Sequence, residues 1–491
     1  MRSPCLLTLL LAACGSSMTP DGGSTDAQTD AQTDAGAPND GGADAGAVLC
    51  SFPAVQIAGT TETDALAGAA ARCGQAPHAW SADATIGSVL AYSTTGLPRY
   101  SARELEGLAA AQGVILPEPL SHNTATVAIT YVTQDRGAPV EATALVAYPR
   151  DLEPGAPAPD VVLLLHGSSG YADGCGPTHD FGSQILAALI ASMGWVVVAP
   201  DYLGLRGDGQ PTGFPHPYLG GQATAIASLD SVRALLRMDP ARRGRLCPTS
   251  RVLVLGGSQG GHAALWAERL APYYARELSL VGTVATVPPA DVAGQMQRAL
   301  TSVVPATRST TVFYGLTPHW YGLGDRLGEV FLPPLDAQIT GMLLDGCSPG
   351  GISAPATLEE RFTPAILDAA ARGELASHGG ELGCIAAENG LTSTSIPWLP
   401  AASPSYAVLY ALGELDDLVD PAIERASFDT LCASGMPLSY LECEGAGHIE
   451  ATLWSLPEIV EFARARFAGE VVPPGELCVR GAPVRCRGTP P

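Results

Sequence analysis

From residue 124 onward the hydrophobic positions follow two periods in turn. Residues 126–133 (TVAITYVT) alternate apolar and polar, and residues 140–148 do so again. Between them lies Asp135-Arg136-Gly137-Ala138-Pro139, a turn sequence, so the pair predicts an antiparallel hairpin. The pattern then changes. Residues 160–166 (DVVLLLH), 195–199 (WVVVA) and 251–255 (RVLVL) are short continuous apolar runs, as expected of parallel strands buried on both faces. Residues 181–193, 222–238 and 259–270 carry helical spacing, the second reading as an amphipathic helix. A further strand is predicted over 280–287.

Strands alternating with helices predict an α/β architecture: a mostly parallel sheet with right-handed crossovers, made mixed by the first hairpin. Regularity stops at residue 289 and resumes only with strand patterns at 406–412 and 438–442. A structureless loop of that length is implausible, so residues 289–403, rich in Pro and Gly with helical pieces, are expected to form an inserted helical subdomain. A last amphipathic helix is predicted over 457–468, followed by a Pro-rich tail, 469–491, with Cys478 and Cys486. The core is thus expected in two parts, 50–288 and 404–468.

The run ending at Leu255 leads straight into Gly256-Gly257-Ser258-Gln259-Gly260-Gly261. This matches G-x-S-x-G, and its setting between a buried strand and a helix gives the match its weight. Small residues let the chain turn sharply and hold the serine in a strained conformation at the helix N-terminus. A serine hydroxyl is a weak nucleophile and needs a base, which needs an orienting acid. In a strand–serine–helix arrangement of this kind the expected chain order is Ser, Asp or Glu, His. His448, in Glu444-Gly445-Ala446-Gly447-His448, follows the last predicted strand and is expected in a loop at its C-terminal end. His319 and His378 fall in the insertion and read as structural; His262, one turn beyond Ser258, reads as packing or substrate-side. The acid is sought after the strand at 406–412, in Glu414-Leu415-Asp416-Asp417-Leu418-Val419-Asp420. Asp416 is chosen on its G-x-x-D-x-x-V spacing, with Asp417 and Asp420 as alternatives. For an oxyanion, donors are expected from the backbone of Gln259 and from the loop His166-Gly167-Ser168-Ser169-Gly170, with Ser168 as donor and Gly167 beside it. His166 reads as a structural partner of that loop. No metal or organic cofactor is implied by this set.

Composition narrows the classes. Apolar residues make up 46% of 491 and charged residues 15%, which excludes wholesale disorder. The net charge of −23 disfavours nucleic acid as a partner. All 26 basic residues are arginine, so chemistry that needs a lysine nucleophile or P-loop lysine is excluded. No apolar run reaches the ~18 residues that would suggest a mature membrane-spanning helix. At the N-terminus, Arg2 and the apolar stretch from Leu6 lead to Leu11-Ala12-Ala13-Cys14, which resembles a bacterial lipobox. That resemblance implies cleavage after residue 13, lipid on Cys14 and a membrane anchor. Gly15, in place of a retention aspartate, implies the outer membrane in a double-membraned bacterium. Residues 14–49, with the repeat TDAQTDAQTDAG, read as an acidic solvated tether. Of twelve cysteines, removing Cys5 and Cys14 leaves ten, an even number that suggests disulfides in an exported chain. Neighbour pairing is expected: Cys432 with Cys443, Cys478 with Cys486, Cys347 with Cys384.

Residues 201–205 (DYLGL), His216-Pro217-Tyr218-Leu219, Leu229-Asp230-Ser231-Val232-Arg233-Ala234 and GGSQGGHAALWA together resemble the secretory lipase family, a fungal-type and actinobacterial group of α/β-hydrolases. The resemblance runs from about residue 85 to 468. It implies the α/β-hydrolase fold, carboxylic-ester hydrolysis of small-molecule or lipid esters, a triad of Ser258, Asp416 and His448, and a helical lid matching 289–403. The lipobox, tether and cysteine-containing tail depart from the family's usual ends. A peptidase or polysaccharide deacylase would use the same triad, and a catalytically inactive surface-binding lipoprotein is the reading from outside enzymes.

Overall fold

The computed structural model describes residues 50–57, 73, 80–153, 155–209, 211–348 and 352–490. The expected signal segment, the tether and Cys14 lie outside them.

Ten strands form one sheet: β1 (Val89–Ser93), β2 (Arg99–Tyr100), β3 (Thr124–Asp135), β4 (Ala138–Pro149), β5 (Val161–Leu165), β6 (Val196–Pro200), β7 (Arg251–Gly257), β8 (Ser279–Thr286), β9 (Val408–Gly413) and β10 (Leu438–Cys443). Twelve α-helices accompany them among the described residues: α1 (Ala102–Ala111), α2 (Phe181–Ser192), α3 (Gly221–Arg237), α4 (Gln259–Tyr274), α5 (Val292–Thr301), α6 (Ala306–Trp320), α7 (Leu335–Leu343), α8 (Pro364–Ala371), α9 (Glu381–Glu388), α10 (Pro421–Ala433), α11 (His448–Trp454) and α12 (Leu456–Ala468). The strand order is β1-β3-β4-β6-β5-β7-β8-β9-β10, with β2 beside β3. Pairing is antiparallel as far as β6 and parallel from β6 to β10.

The predicted hairpin is β3–β4, turning on Arg136 and Gly137, both at positive φ, as a two-residue hairpin turn requires. The apolar runs behave as their composition demands. In β5, Val161, Leu163 and Leu165 join one core, and Val162 and Leu164 join another across the sheet. The first core packs α3 and α4, the second α1, α2 and α12. Helices thus cover both faces, and the predicted mixed, mostly parallel α/β sheet is present. The edge strands β1 and β2 were not legible, because β1 (VLAYS) is largely exposed and lacks an apolar rhythm.

Two expectations, on α3 and on the cysteine pairing, are corrected. Helix α3 is not amphipathic: residues 221–236 are all buried, because the sheet, α4 and the insertion enclose it. Its polar residues are matched internally, Arg233 pairing with Asp230 and Glu277 at 2.7 and 2.6 Å. Residues 289–403 contain α5–α9, and Phe313, Ile339, Ile366 and Ile385 join the same core as Leu229 and Leu265. This segment therefore packs as part of the molecule's main core.

The disulfides are Cys50–Cys247, Cys73–Cys384, Cys175–Cys347, Cys432–Cys478 and Cys443–Cys486, so none of the three neighbour pairs forms. The reason is the βαβ path. Cys432 lies near the end of α10, which returns to the start of the sheet, whereas Cys443 ends β10 at the opposite edge. The tail runs alongside β10 and meets both: Cys478 N–H donates to Leu438 O, and Val484 bridges to Cys443. The tail thereby covers an edge strand.

Asp201, just past β6, ties the molecule together below the site. It accepts from the hydroxyls of Thr143 and Thr178 and from the Thr178 N–H. Burial pushes its carboxyl up to about 6, while these bonds and His179 pull down. A carboxyl raised in the folded state keeps a proton that the unfolded chain has released. Its contribution is full below the ordinary value of 3.8 and is lost as pH rises through about 6. Asp201→Asn removes this titration, since the amide can still accept from Thr178 N–H and donate to the hydroxyls. Relative to the parent chain, the variant is expected to gain about 2 kcal/mol between about pH 4 and about pH 7. Paired urea unfolding at both pH values checks this, and parallel pH dependences would sink it.

Candidate active site

The sheet reverses its strand order around β5, with β6 on one side and β7 on the other. Such a switch point opens a crevice beyond the strands' C-terminal ends. The segments following β5, β7, β9 and β10 carry the candidate residues there.

Ser258 stands between β7 and α4 at φ 57°, ψ −122°, a strained conformation for a residue with a Cβ. It persists because its surroundings leave no alternative. Its N–H donates to Thr286 O at 2.9 Å, and its carbonyl accepts from His262 N–H. A Cβ on Gly256 would lie 2.1 Å from Gly260 O, and one on Gly260 would lie 2.0 Å from Leu165 O. The glycines are therefore required by the close passage of the turn over β5.

Ser258 Oγ lies 2.8 Å from His448 Nε2, and His448 Nδ1 lies 2.7 Å from Asp416 Oδ2. A carboxylate only accepts, so Nδ1 carries the hydrogen and Nε2 is free to accept from the serine. Asp416 Oδ1 accepts from the N–H groups of Leu418 and Val419, each at 2.9 Å, which fixes the carboxylate plane. Its side chain is 2% exposed and that of His448 10%. The two turns are bonded to each other, Leu415 N–H donating to Ala446 O and Glu414 N–H to Cys443 O. His448 is not in a loop: it is the first residue of α11. The tail holds this region, since Glu444 N–H donates to Val484 O and Gly488 N–H to Trp454 O.

The alternative acids have other tasks. Asp420 caps α10 through Ala422 and Ile423 N–H and pairs with Arg298; Asp417 is exposed. The other histidines are accounted for as well. His319 meets Thr340 Oγ1 at 2.9 Å, and His378 lies 3.4 Å from Glu329 O. His262 is buried against Asn389 O of the insertion, a packing role, and burial lowers its pKa to about 4. His166 stacks on Tyr202, bonds its own loop at Gly167 O and is likewise lowered to about 4 by burial.

Gln259 opens α4, where backbone N–H groups and the helix dipole face the crevice end of the sheet. Its side chain is locked: Oε1 accepts from Ser168 Oγ at 3.0 Å, and Nε2 meets His216 Nε2 at 2.8 Å. His216 Nδ1 donates to Leu203 O, leaving Nε2 as the acceptor. Ser168 Oγ also meets Tyr218 OH. This network joins the two loops expected to supply oxyanion donors, with Gly167 buried beside Ser168. His216 and Tyr218 received no role from sequence reasoning, although they stand in the His216-Pro217-Tyr218-Leu219 segment.

Ser258, His448, Ser168 and Gln259 face a cavity of ≈ 280 Å³. Met296 of α5 and Arg308 of α6 line it from the insertion, so that segment forms part of its wall.

Comparison with known proteins agrees with this architecture. The family described as secretory lipase matches residues 180–331. Lipase 1 of Candida albicans is 26% identical over 320 residues, covering 61% of this chain and 61% of that protein. The chain thus spans about three fifths of the length of that relative. A Mycobacterium tuberculosis protein described as a probable inactive lipase is 25% identical over 378 residues, 72% of this chain and 76% of its own length. Candida antarctica lipase A in its closed state superposes with a TM-score of 0.59 at 17% identity, covering 82% of this chain and 85% of that one. Residues 180–331 are thus similar to secretory lipases, and the fold of the chain is that of the α/β-hydrolases.

Proposed function

We propose that this protein is an exported carboxylic-ester hydrolase, a lipase or esterase, acting through an acyl-enzyme on Ser258. The observation that carries this reading is the unbroken hydrogen-bonded line from Ser258 through His448 to Asp416 at the wall of a cavity. The similarity to lipases supports it, and supports lipid esters among the substrates.

In this mechanism Ser258 Oγ attacks the ester carbonyl while His448 Nε2 takes its proton. Asp416 holds the imidazole tautomer and stabilises the imidazolium. The oxyanion is met by the backbone N–H of Gln259 and that of Ser168, with Gly167 giving close approach. The C–O bond breaks as His448 returns the proton to the leaving alcohol. Water, deprotonated by His448, then attacks the acyl-enzyme and releases the acid. Residues 289–403 act as the cap over the acyl pocket. Five disulfides suit an oxidising compartment, and the segment ending at Cys14 suits a lipid anchor at the outer membrane or cell surface.

A fluorophosphonate probe is expected to label the mature protein at one site. Ser258→Ala should abolish that labelling, as read by intact-protein mass spectrometry. Labelling that persists in the variant, or none in the parent protein, would overturn the assignment.

A further inference from the structure

The cavity beside Ser258 has an unbalanced charge. Arg308, in the first turn of α6, lines it, and no Asp or Glu does. Arg308 Nε is buried without a hydrogen-bond partner, and among the described residues its guanidinium has no ion pair. The residue is half-buried, and the arginines buried more deeply than it all find acceptors. Arg233 has two carboxylates, and Arg243, Arg269, Arg361 and Arg466 donate to backbone carbonyls. A guanidinium partly withdrawn from water with neither anion nor carbonyl to accept from it favours an anionic ligand. In a chain of net charge −23, acids are abundant, yet none reaches this one.

The groups around Arg308 also favour an anion. Ser309, Tyr171 and Tyr218 line the same cavity. Burial raises the pKa of both tyrosines while the Arg308 charge lowers it, so both phenols are neutral and can donate. The N-terminal end of a 15-residue helix adds its dipole with the same sign preference. Ser309 is also within hydrogen-bonding influence of Tyr218, whose hydroxyl meets Ser168 Oγ at 3.0 Å. The cationic end is thereby linked to the loop beside the nucleophile.

We infer that the cavity takes an ester whose bound portion carries a carboxylate, held by Arg308 with Ser309 and the Tyr218 hydroxyl. This rests on the ester-hydrolase reading and deepens it: the preferred substrates are half-esters of dicarboxylic acids or esters of hydroxy acids, rather than wholly neutral acylglycerols. The charge sits on the acyl side in the first class and on the alcohol side in the second.

The test uses the mature protein and two matched pairs. On the acyl side, 4-nitrophenyl esters of adipic and adipamic acid differ by carboxylate against carboxamide. On the alcohol side, 6-acetoxyhexanoate and 6-acetoxyhexanamide differ in the same way and are followed by pH-stat. In at least one pair kcat/KM should favour the anion by about tenfold or more, the scale of a charge-assisted hydrogen bond. Arg308→Gln should bring that ratio close to one, while Arg308→Lys should retain a preference above one. Anion-to-amide ratios of one or below in both pairs overturn the inference without any variant, as does a preference that survives Arg308→Gln. Should Arg308→Gln not fold, the parent ratio and Arg308→Lys decide. Fluorophosphonate labelling with hydrolysis of the neutral members, but no anion preference, separates failure of this inference from failure of the hydrolase reading, in which neither ester nor probe reacts.

Discussion

Replacing His448 by alanine is expected to lower kcat for ester hydrolysis by about 10⁶-fold, the scale seen when the base of a serine triad is removed. Nothing else is placed to serve. Of the other described histidines, His166, His216, His262, His319 and His378 have the roles given above, His122 pairs with Asp151 and His179 lies by Asp208; burial holds His166, His216 and His262 neutral down to about 4. Asp416→Asn separates the candidate acids. The N–H groups of Leu418 and Val419 require an acceptor at the Oδ1 position, so the new amide must turn its NH₂ toward His448 Nδ1. That forces the hydrogen onto Nε2, the wrong tautomer for accepting from Ser258. A fall of about 10⁴-fold in kcat is expected. Asp417→Asn should stay within about threefold of the parent, because an exposed carboxylate is well screened. Steady-state kinetics with a short-chain 4-nitrophenyl ester measures all three. Equal losses for Asp416 and Asp417 would remove Asp416 from the acid's role.

The largest expected effect on stability comes from Arg233→Met. Asp230 and Glu277 are both almost wholly buried, and Arg233 lies between them, over the Tyr274 ring at 4.6 Å. Tyr274 and Thr133 hydroxyls complete the shell of Asp230. Removing the cation leaves two carboxylates in an apolar setting, a loss of about 3–5 kcal/mol. Urea unfolding of parent and variant by tryptophan fluorescence gives the difference, and a midpoint unchanged within error contradicts the account. Arg233→Met combined with Asp230→Leu and Glu277→Leu should recover part of the loss, since a matched apolar replacement leaves no stranded charge.

The sequence carried much of this site because its signals are local. The apolar runs of β5, β6 and β7 report burial on two faces, and GGSQGG reports a backbone turn too tight for any Cβ at Gly256 or Gly260. Order along the chain then led to His448 and spacing to Asp416. Other features have no local signature. The edge strand β1 is exposed on both sides of its alternation. Arg308 is one arginine among 26 until folding strips its surroundings of carboxylates.

Local pattern by itself determined the α/β class and singled out Ser258 as the candidate nucleophile, since both depend on hydrophobic period and backbone sterics within a few residues. Tertiary structure alone decided which cysteines pair, that His448 begins a helix clamped by the tail, that α3 is buried on every side, and that His216, Gln259, Ser168 and Tyr218 form one network. Each of these depends on where distant segments meet around the sheet. Helix α10 carries Cys432 back to the start of the strands and Cys443 stays at their end, so chain proximity and spatial proximity part company there.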